Sequence, residues 1–491
     1  MARKDRPAGL LIGDVFRNAA RATPTRTAVV LGEATLTFGE LDRAANRLAR
    51  ALAASGVGHG DRVVVRAGTG LAVVPLFAAL AKLGAVYVPL DPALHDHEVA
   101  AAIAAAEPAL QVSDGTRTGD VTLAELTARA ATEHDGTVAA AALDETDPHV
   151  VFFTSGSGGR PKGAVLSHRV NHLRTHPGAL LEPRGAMVCP YPLFHMGAWT
   201  IALQQWQARD TVVLVNATDA ATIVDAITST RATRINCVPA IWRRVLDHPG
   251  ADLSTIRFAD TGTSATPPEL LGAMRAAMSG AQLRVFYGST EAGSVAMLED
   301  RDIERKPGSV GVPAPSTEVR IDDGQLLVRG PLLFDGYLDA AEATATALAG
   351  GWYATGDRAE VDDEGYLSIV GRVGDVIRTG GESVAPSEVE AVLAGLPGVR
   401  DVAVIGLPDP EWGEVVCAAV VCDAGAAAPT VAQVRAHCEQ RLAPYKHPRR
   451  VVVVDAIPRT PATQQIQRRL LYHAFSVQNA RPGGAAAPRS V

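Results

Sequence analysis

The sequence predicts an α/β protein: a large N-terminal region with doubly wound sheets and a β subdomain of short strands, followed by a small α+β region. Three observations carry this. Strand and helix signals alternate through the first hundred residues and again over 211–238. From Pro307 the texture changes to short strands with glycine turns. From about Val376 to Phe475, strands and helices mix within roughly a hundred residues, the size of a small domain.

The elements follow from local chemistry. Thr37 and Glu40 form a capping-box pattern ahead of Leu41, Ala45, Leu48 and Leu52, an apolar stripe at helical spacing that Gly56 ends. A strand Arg62–Arg66, a helix Leu71–Leu83 and a strand Val86–Leu90 come next, and strand–helix–strand in this order predicts parallel pairing. The pattern repeats as strand Thr211–Val215, helix Ala220–Thr230 and strand Ile235–Val238. Short strands are expected at Glu318–Ile321, Gln325–Arg329 and Gly365–Val370. The last region reads as helix Pro386–Leu396, strands Val402–Gly406 and Val415–Val421, helix Val431–Leu442 and strand Val451–Val454. Beyond it, 479–491 is rich in Pro, Gly and Ala and is expected to be a disordered tail.

Composition narrows the function classes. At 491 residues, with 47% hydrophobic and 20% charged residues, the chain can bury large cores and reads as globular. A net charge of −7 argues against a nucleic-acid partner, which would call for a basic excess. The five cysteines are scattered and never spaced as CxxC, so a reducing cytoplasm is the expected location. No membrane segment is expected. The uncharged stretch Ala67–Ala81 is too short to span, and Gly185–Ala208 carries Pro190, Pro192, His195 and three glutamines.

The most informative segment is Thr154-Ser155-Gly156-Ser157-Gly158-Gly159-Arg160-Pro161-Lys162-Gly163, directly after the apolar strand Val150–Phe153. Glycines let successive N–H groups turn inward as an anion nest, three hydroxyls add donors, and Lys162 adds a charge. That chemistry serves phosphate. The spacing is not GxxxxGK(S/T), because Pro161 and Gly163 stand where Gly and Ser or Thr would be needed, and the third glycine of GxGxxG is missing. A plain Gly/Ser linker is the bland alternative, but a linker needs no Pro-Lys-Gly behind a buried strand.

This loop resembles the phosphate-binding signature of the adenylate-forming superfamily: acyl-CoA synthetases, adenylation domains of peptide synthetases and luciferases. Further segments match in the family's order. Tyr191-Pro192-Leu193-Phe194-His195 resembles the segment whose aromatic or histidine side chain gates the acyl pocket. Tyr287-Gly288-Ser289-Thr290-Glu291 resembles the segment that stacks adenine on tyrosine and holds Mg2+ through glutamate. Lys306-Pro307-Gly308-Ser309-Val310-Gly311, Thr355-Gly356-Asp357 and Gly371-Arg372-Val373-Gly374-Asp375 complete the set.

The resemblance implies ATP and Mg2+ as cofactors. It puts Thr154, Ser155, Gly156, Ser157, Gly158 and Lys162 on the phosphates, Thr263 and Ser264 on the adenine side, and Tyr287, Gly288, Ser289 and Thr290 around the nucleotide. Glu291 and Thr154 would hold the metal, Asp357 the ribose hydroxyls, and Arg372 ribose and phosphate. Asp375 would be the hinge between an adenylation domain, 1–374, and a mobile domain, 375–478. Alone, Tyr287 could be core and His195 a packing histidine; their order in the sequence lifts them.

Two segments depart from the family. Its last loop reads like Pro-x-Thr-x-Thr-Gly-Lys-Ile-Gln, whereas this chain has Pro458-Arg459-Thr460-Pro461-Ala462-Thr463-Gln464-Gln465-Ile466-Gln467-Arg468. Gln465 stands at the lysine position, and no lysine follows Lys446. Either Arg468 or Arg459 substitutes, or the enzyme works slowly, or its acid does not need the charge. Where the family often has Gly-Gly-Ala-Pro-Leu, this chain has Gly262-Thr263-Ser264-Ala265-Thr266-Pro267, which is neutral drift or a more polar cavity. The expected activity is ATP-dependent adenylation of a small aryl or short acyl acid with pyrophosphate release, then transfer to CoA. Pro408-Asp409-Pro410-Glu411-Trp412-Gly413-Glu414 resembles CoA ligases and favours that acceptor. The alternative is a non-CoA enzyme, either an amide-forming ligase or a diazotase that adenylates nitrite for an aryl amine acceptor.

Overall fold

The computed structural model describes residues 9–116, 119–138, 143–154, 162–176, 185–379, 382–409, 411–439, 441–460 and 464–479. Helix Phe38–Ala54 starts as its capping box dictates. Thr37 Oγ1 accepts from Glu40 N–H at 3.2 Å, and the Glu40 carboxylate accepts from Thr37 N–H at 2.8 Å. Leu41, Ala45, Leu48 and Leu52 are all buried.

Strands Arg62–Arg66 and Val86–Leu90 pair in parallel with Val64 opposite Val88. The helix between them begins at Val73 and is buried nearly all round. Gly84 ends it at φ +72°, where a Cβ would stand 2.1 Å from the Leu143 side chain.

The doubly wound expectation holds. Among the described residues, one sheet has seven strands, five of them parallel, and the other has nine, six of them parallel. Helices fill the space between the sheets. Phe77, on the helix between Arg62–Arg66 and Val86–Leu90, stacks on Trp199 of helix Met196–Gln207 at 3.8 Å. One continuous hydrophobic core runs from Ile12 to Leu367. The stretch 185–208, tested above for a membrane span, splits into strand Met187–Cys189 and a 12-residue helix. Among the described residues no helix is long and apolar enough to cross a membrane.

The short strands form a four-stranded antiparallel sheet from Glu318–Asp322, Gln325–Arg329, Tyr353–Val361 and Leu367–Arg372. The chain then enters a separate sheet whose two faces carry separate cores. Val402, Val404, Val416 and Val420 face one, and Ala403, Ile405, Cys417 and Val421 the other. The alternation along one long hairpin explains why strand Val399–Asp409 outruns the expected 402–406. Its partner Gly413–Cys422 pairs with it along its whole length. Helices end earlier than expected, at Leu393 and Cys438. The last residue of the large core is Leu367 and the first of the small one is Ile377. The junction between them is a single short 3-10 turn, Val373–Asp375.

Candidate active site

In an open α/β sheet, ligands sit beyond the carboxyl ends of the parallel strands. The sequence-predicted residues gather there. Thr154 ends strand Pro148–Thr154, Tyr191 follows Met187–Cys189, Thr263 follows Phe258–Gly262, and Tyr287 to Ser289 end strand Gln282–Ser289. Two polar clusters form.

The first surrounds Glu291. Thr154 and Lys162 face each other across an antiparallel pair, which brings the ends of the predicted phosphate loop together. Ser155, Gly156, Ser157 and Gly158 lie outside the described residues. Thr154 Oγ1 and the Tyr337 hydroxyl each donate to Glu291 Oε1 at 3.2 Å, and Lys162 Nζ lies 5.0 Å over the Tyr337 ring. Burial, and then the Glu291 charge, raise the Tyr337 pKa, so its hydroxyl stays a donor.

Backbone geometry fixes the carboxylate from behind. Arg174 donates to the carbonyls of Thr290 and Glu291 at 2.9 Å and of Leu332 at 2.8 Å. Burial lowers the Arg174 pKa to about 10, which still leaves it charged at neutral pH. Ser289 Oγ accepts from Ala292 N–H at 3.0 Å and closes the turn. Gly288 is required there, since a Cβ would stand 2.1 Å from the Gly293 carbonyl oxygen.

Among the described residues no group of three or more His, Cys, Asp or Glu gathers, so Glu291 acts with hydroxyls rather than with other carboxylates. A lone carboxylate beside a hydroxyl suits Mg2+, which usually takes one or two protein oxygens and fills its octahedron with phosphate and water.

The second cluster is a chain of charge-assisted bonds. The Tyr287 hydroxyl donates to Asp357 Oδ2 at 2.5 Å, and Arg372 Nε lies 2.8 Å from Asp357 Oδ1. Asp357 and Arg372 are cross-strand neighbours, and Thr355 Oγ1 accepts from the Asp357 N–H at 3.0 Å. Burial raises the Asp357 pKa above the ordinary carboxylate value, while Arg372 and the Tyr287 hydroxyl oppose that rise. Burial and the Asp357 charge push the Tyr287 pKa upward.

His195 caps helix Met196–Gln207: its Nδ1 accepts from Gly197 N–H at 3.1 Å, and its ring stacks on Tyr191 at 6.0 Å. The half-buried ring is enclosed closely enough that its pKa falls to about 4. It is therefore neutral at pH 7 with its proton on Nε2. Tyr191 donates to Asn236 Oδ1 at 3.0 Å.

Gln465 Nε2 donates to the Thr263 carbonyl at 3.2 Å, a bond that joins the two cores. Thr263 has φ +71°, a conformation costly for a β-branched residue, and Ser264 beside it is half-buried. The arginines expected to substitute for the missing lysine are committed elsewhere, which corrects that expectation. Arg459 donates to Asp401 at 2.8 Å and to the Gln464 carbonyl at 2.9 Å, and Arg468 pairs with Asp375 and Glu390.

A cavity of about 100 Å³ beside His195 is lined by Thr69, Phe194, Asn216, Arg244 and Gln464, among others. A larger hollow of about 430 Å³ on the four-stranded sheet touches none of the predicted site residues.

Sequence reasoning missed Tyr337, Arg174 and Thr355. Only the basic residue in the first helix after the phosphate loop gave any signal, because Tyr337 and Thr355 join the site through distant strands.

Comparison with known proteins agrees with this geometry. The AMP-binding enzyme profile matches residues 16–338, and that of the AMP-binding enzyme C-terminal domain matches 388–463. A long-chain-fatty-acid–CoA ligase, FadD13, of Mycobacterium tuberculosis is 33% identical, covering 95% of this chain and 98% of its own. A feruloyl-CoA synthase of an Amycolatopsis species is 36% identical, over 90% and 94%. Among solved structures, o-succinylbenzoate CoA synthetase of Bacillus subtilis with ATP and a magnesium ion superposes with a TM-score of 0.85. It is 27% identical and covers 93% of this chain and 98% of that one. The chain belongs to the AMP-binding enzyme family and so to the adenylate-forming superfamily.

Proposed function

We propose that the protein converts a small aryl or short acyl carboxylic acid into its CoA thioester through an acyl-AMP intermediate. A carboxylate oxygen attacks the α-phosphorus of ATP, the bond to pyrophosphate breaks, and acyl-AMP forms. The CoA sulfur then attacks the acyl carbon, AMP leaves, and the thiol proton is released. The observation that carries the reading is the pair of clusters, one built for a metal-bound polyphosphate and one for a ribose. Their order along the chain matches that of relatives whose names are all acid–CoA ligases.

Each residue has a role its chemistry permits. Lys162, Thr154 and the loop 155–158 hold phosphate. The Tyr287 ring offers adenine a face while its hydroxyl orients Asp357, whose oxygens meet the ribose hydroxyls with Arg372 alongside. Gly288, Ser289, Thr290, Thr263 and Ser264 line the nucleotide. Mg2+ bound through Glu291, with Thr154 beside it, would neutralise developing phosphate charge. His195, neutral and stacked on Tyr191, walls the acid pocket, and the small polar cavity beside it suits a small acid. The junction Val373–Asp375 divides an adenylation domain, 1–374, from a domain of 375–478 that turns about Asp375.

The test is pyrophosphate release over a panel of aryl and short acyl acids, with and without CoA, with acyl-CoA read by mass. At least one acid should give a thioester. Turnover with nitrite plus an aryl amine and with no carboxylate would replace this reading by the diazotase alternative.

A further inference from the structure

The loop that brings Gln465 to the cleft is anchored to the interdomain junction by one side chain. Arg468 lies three residues beyond Gln465, at the start of helix Arg468–Asn479. Its guanidinium uses every face. Nη1 donates to Asp375 Oδ2 at 3.1 Å, Nη2 reaches both Glu390 oxygens at 2.7 Å, and Nε donates to the Val404 carbonyl at 3.2 Å. Glu390 is itself fixed, because its Oε1 accepts from Val404 N–H at 2.7 Å. Helix Pro386–Leu393, strand Val399–Asp409 and the junction residue therefore meet on a single arginine.

The loop itself is held on both sides of the glutamine. Thr460 N–H donates to the Gln465 carbonyl at 2.9 Å, Gln465 N–H donates to Thr460 Oγ1 at 3.0 Å, and Arg459 bridges to Ile466. Its only printed bond into the large core is the exposed Gln465 amide on Thr263. One amide bond in water is worth about 1 kcal/mol net and would not by itself hold a loop in register. A four-point guanidinium clamp, charge-assisted on two carboxylates, is the stronger device.

We propose that Arg468 is a positioning residue: it locks the Gln465 loop to Asp375, so that rotation at the junction presents or withdraws Gln465 as one rigid piece. Arginine is required because lysine offers a point charge and cannot reach three acceptors in a plane. The clamp rests on the two-domain reading above, but its test needs no acid, ATP or CoA.

The experiment places cysteines at the two ends of the cleft contact, in Thr263→Cys/Gln465→Cys. This pair also removes the amide bond, so any remaining register comes from the clamp. Cross-linking by a short bis-maleimide, with the single-cysteine proteins as controls, reports how often the ends meet. Adding Arg468→Met should slow cross-linking about tenfold or more, and Arg468→Lys should fall between. Asp375→Asn, which leaves the Glu390 and Val404 contacts in place, should slow it a few-fold and guards against misfolding of the methionine variant. Rates within twofold of the parent in Arg468→Met and Asp375→Asn, with unchanged melting temperatures, would overturn the proposal. Slowed cross-linking in a protein that activates no carboxylic acid would leave the clamp standing and remove only the ligase reading.

Discussion

Gln465 reaches the same cleft that a lysine would, yet it brings a dipole where a charge is useful. The transition state of adenylation concentrates negative charge between the attacking carboxylate and the α-phosphate, and losing one donor there commonly costs about 10²–10³ in rate. Since Arg459 and Arg468 are both paired elsewhere, no arginine in this loop restores the charge. Gln465→Lys should therefore accelerate acyl-AMP formation about tenfold if the new ammonium supplies even ~1.4 kcal/mol. Single-turnover pyrophosphate release measures it, and a slower variant would mean that the pocket is built around the neutral amide. Tyr337 offers a second test, because its hydroxyl orients Glu291 without being needed to bind metal. Outer partners of a metal ligand typically account for about 10–100-fold in affinity. Tyr337→Phe should raise the Mg2+ concentration for half-maximal activity by about tenfold with little change at saturation. An unchanged Mg2+ curve would remove Tyr337 from the site.

Helix Ile12–Ala22 shows how an element far from the cleft depends on proton state. Its first N–H, that of Ile12, donates to His168 Nδ1 at 3.2 Å, and His168 lies against His149, with ring centroids 4.7 Å apart. His149 Nδ1 in turn pairs with Asn171 Nδ2 at 2.9 Å, so both rings act as acceptors and must be neutral. Both are fully buried; burial brings the His168 pKa down to about 4 and lowers that of His149 well below the ordinary value. The folded pKa lies below the unfolded value near 6.5, so the unfolded chain binds more protons between pH 6.5 and 4. Stability is complete above pH 6.5 and falls as the pH drops to about 4, by on the order of 3 kcal/mol for His168. His168→Asn keeps an acceptor for Ile12 but cannot charge, so urea melts at pH 7 and 4.5 should differ less than in the wild type. An equal pH slope in both proteins would refute the assignment.

At this same scale the sequence was most readable. Thr37–Glu40 capping, the strands Arg62–Arg66 and Val86–Leu90 and the helix Ala220–Thr230 appear at the predicted residues, because cap and periodicity are local signals. Tyr337 and Arg174 were not legible: each reaches Glu291 from more than forty residues away, through pairings that no local pattern encodes. The true partners of Arg468 were hidden for the same reason.

Across the whole molecule, the two cores meet at one short turn and one cleft contact, and that arrangement suits only half of the chemistry. With Gln465 on Thr263, the small domain presents its last loop to the nucleotide cleft, the orientation needed while acyl-AMP forms. The CoA sulfur must later approach the same carbonyl from a side this loop now occupies, so the domain has to turn. Asp375 ends the 3-10 turn between the cores, and its carboxylate is held by Arg468. Proline there fixes φ near −65° and removes the N–H, which restricts the backbone through which rotation passes. It also deletes the carboxylate, so Asp375→Ala is the control for that loss alone. If the proline traps the orientation seen here, acyl-AMP formation should stay within a few-fold of Asp375→Ala. Thioester formation from supplied acyl-AMP and CoA should fall by at least tenfold relative to the same control. Equal losses in the two half-reactions, in a protein with an unchanged melting temperature, would mean that the junction does not gate the second step. The domain would then have to turn about some other residue between Leu367 and Ile377, where the cores divide.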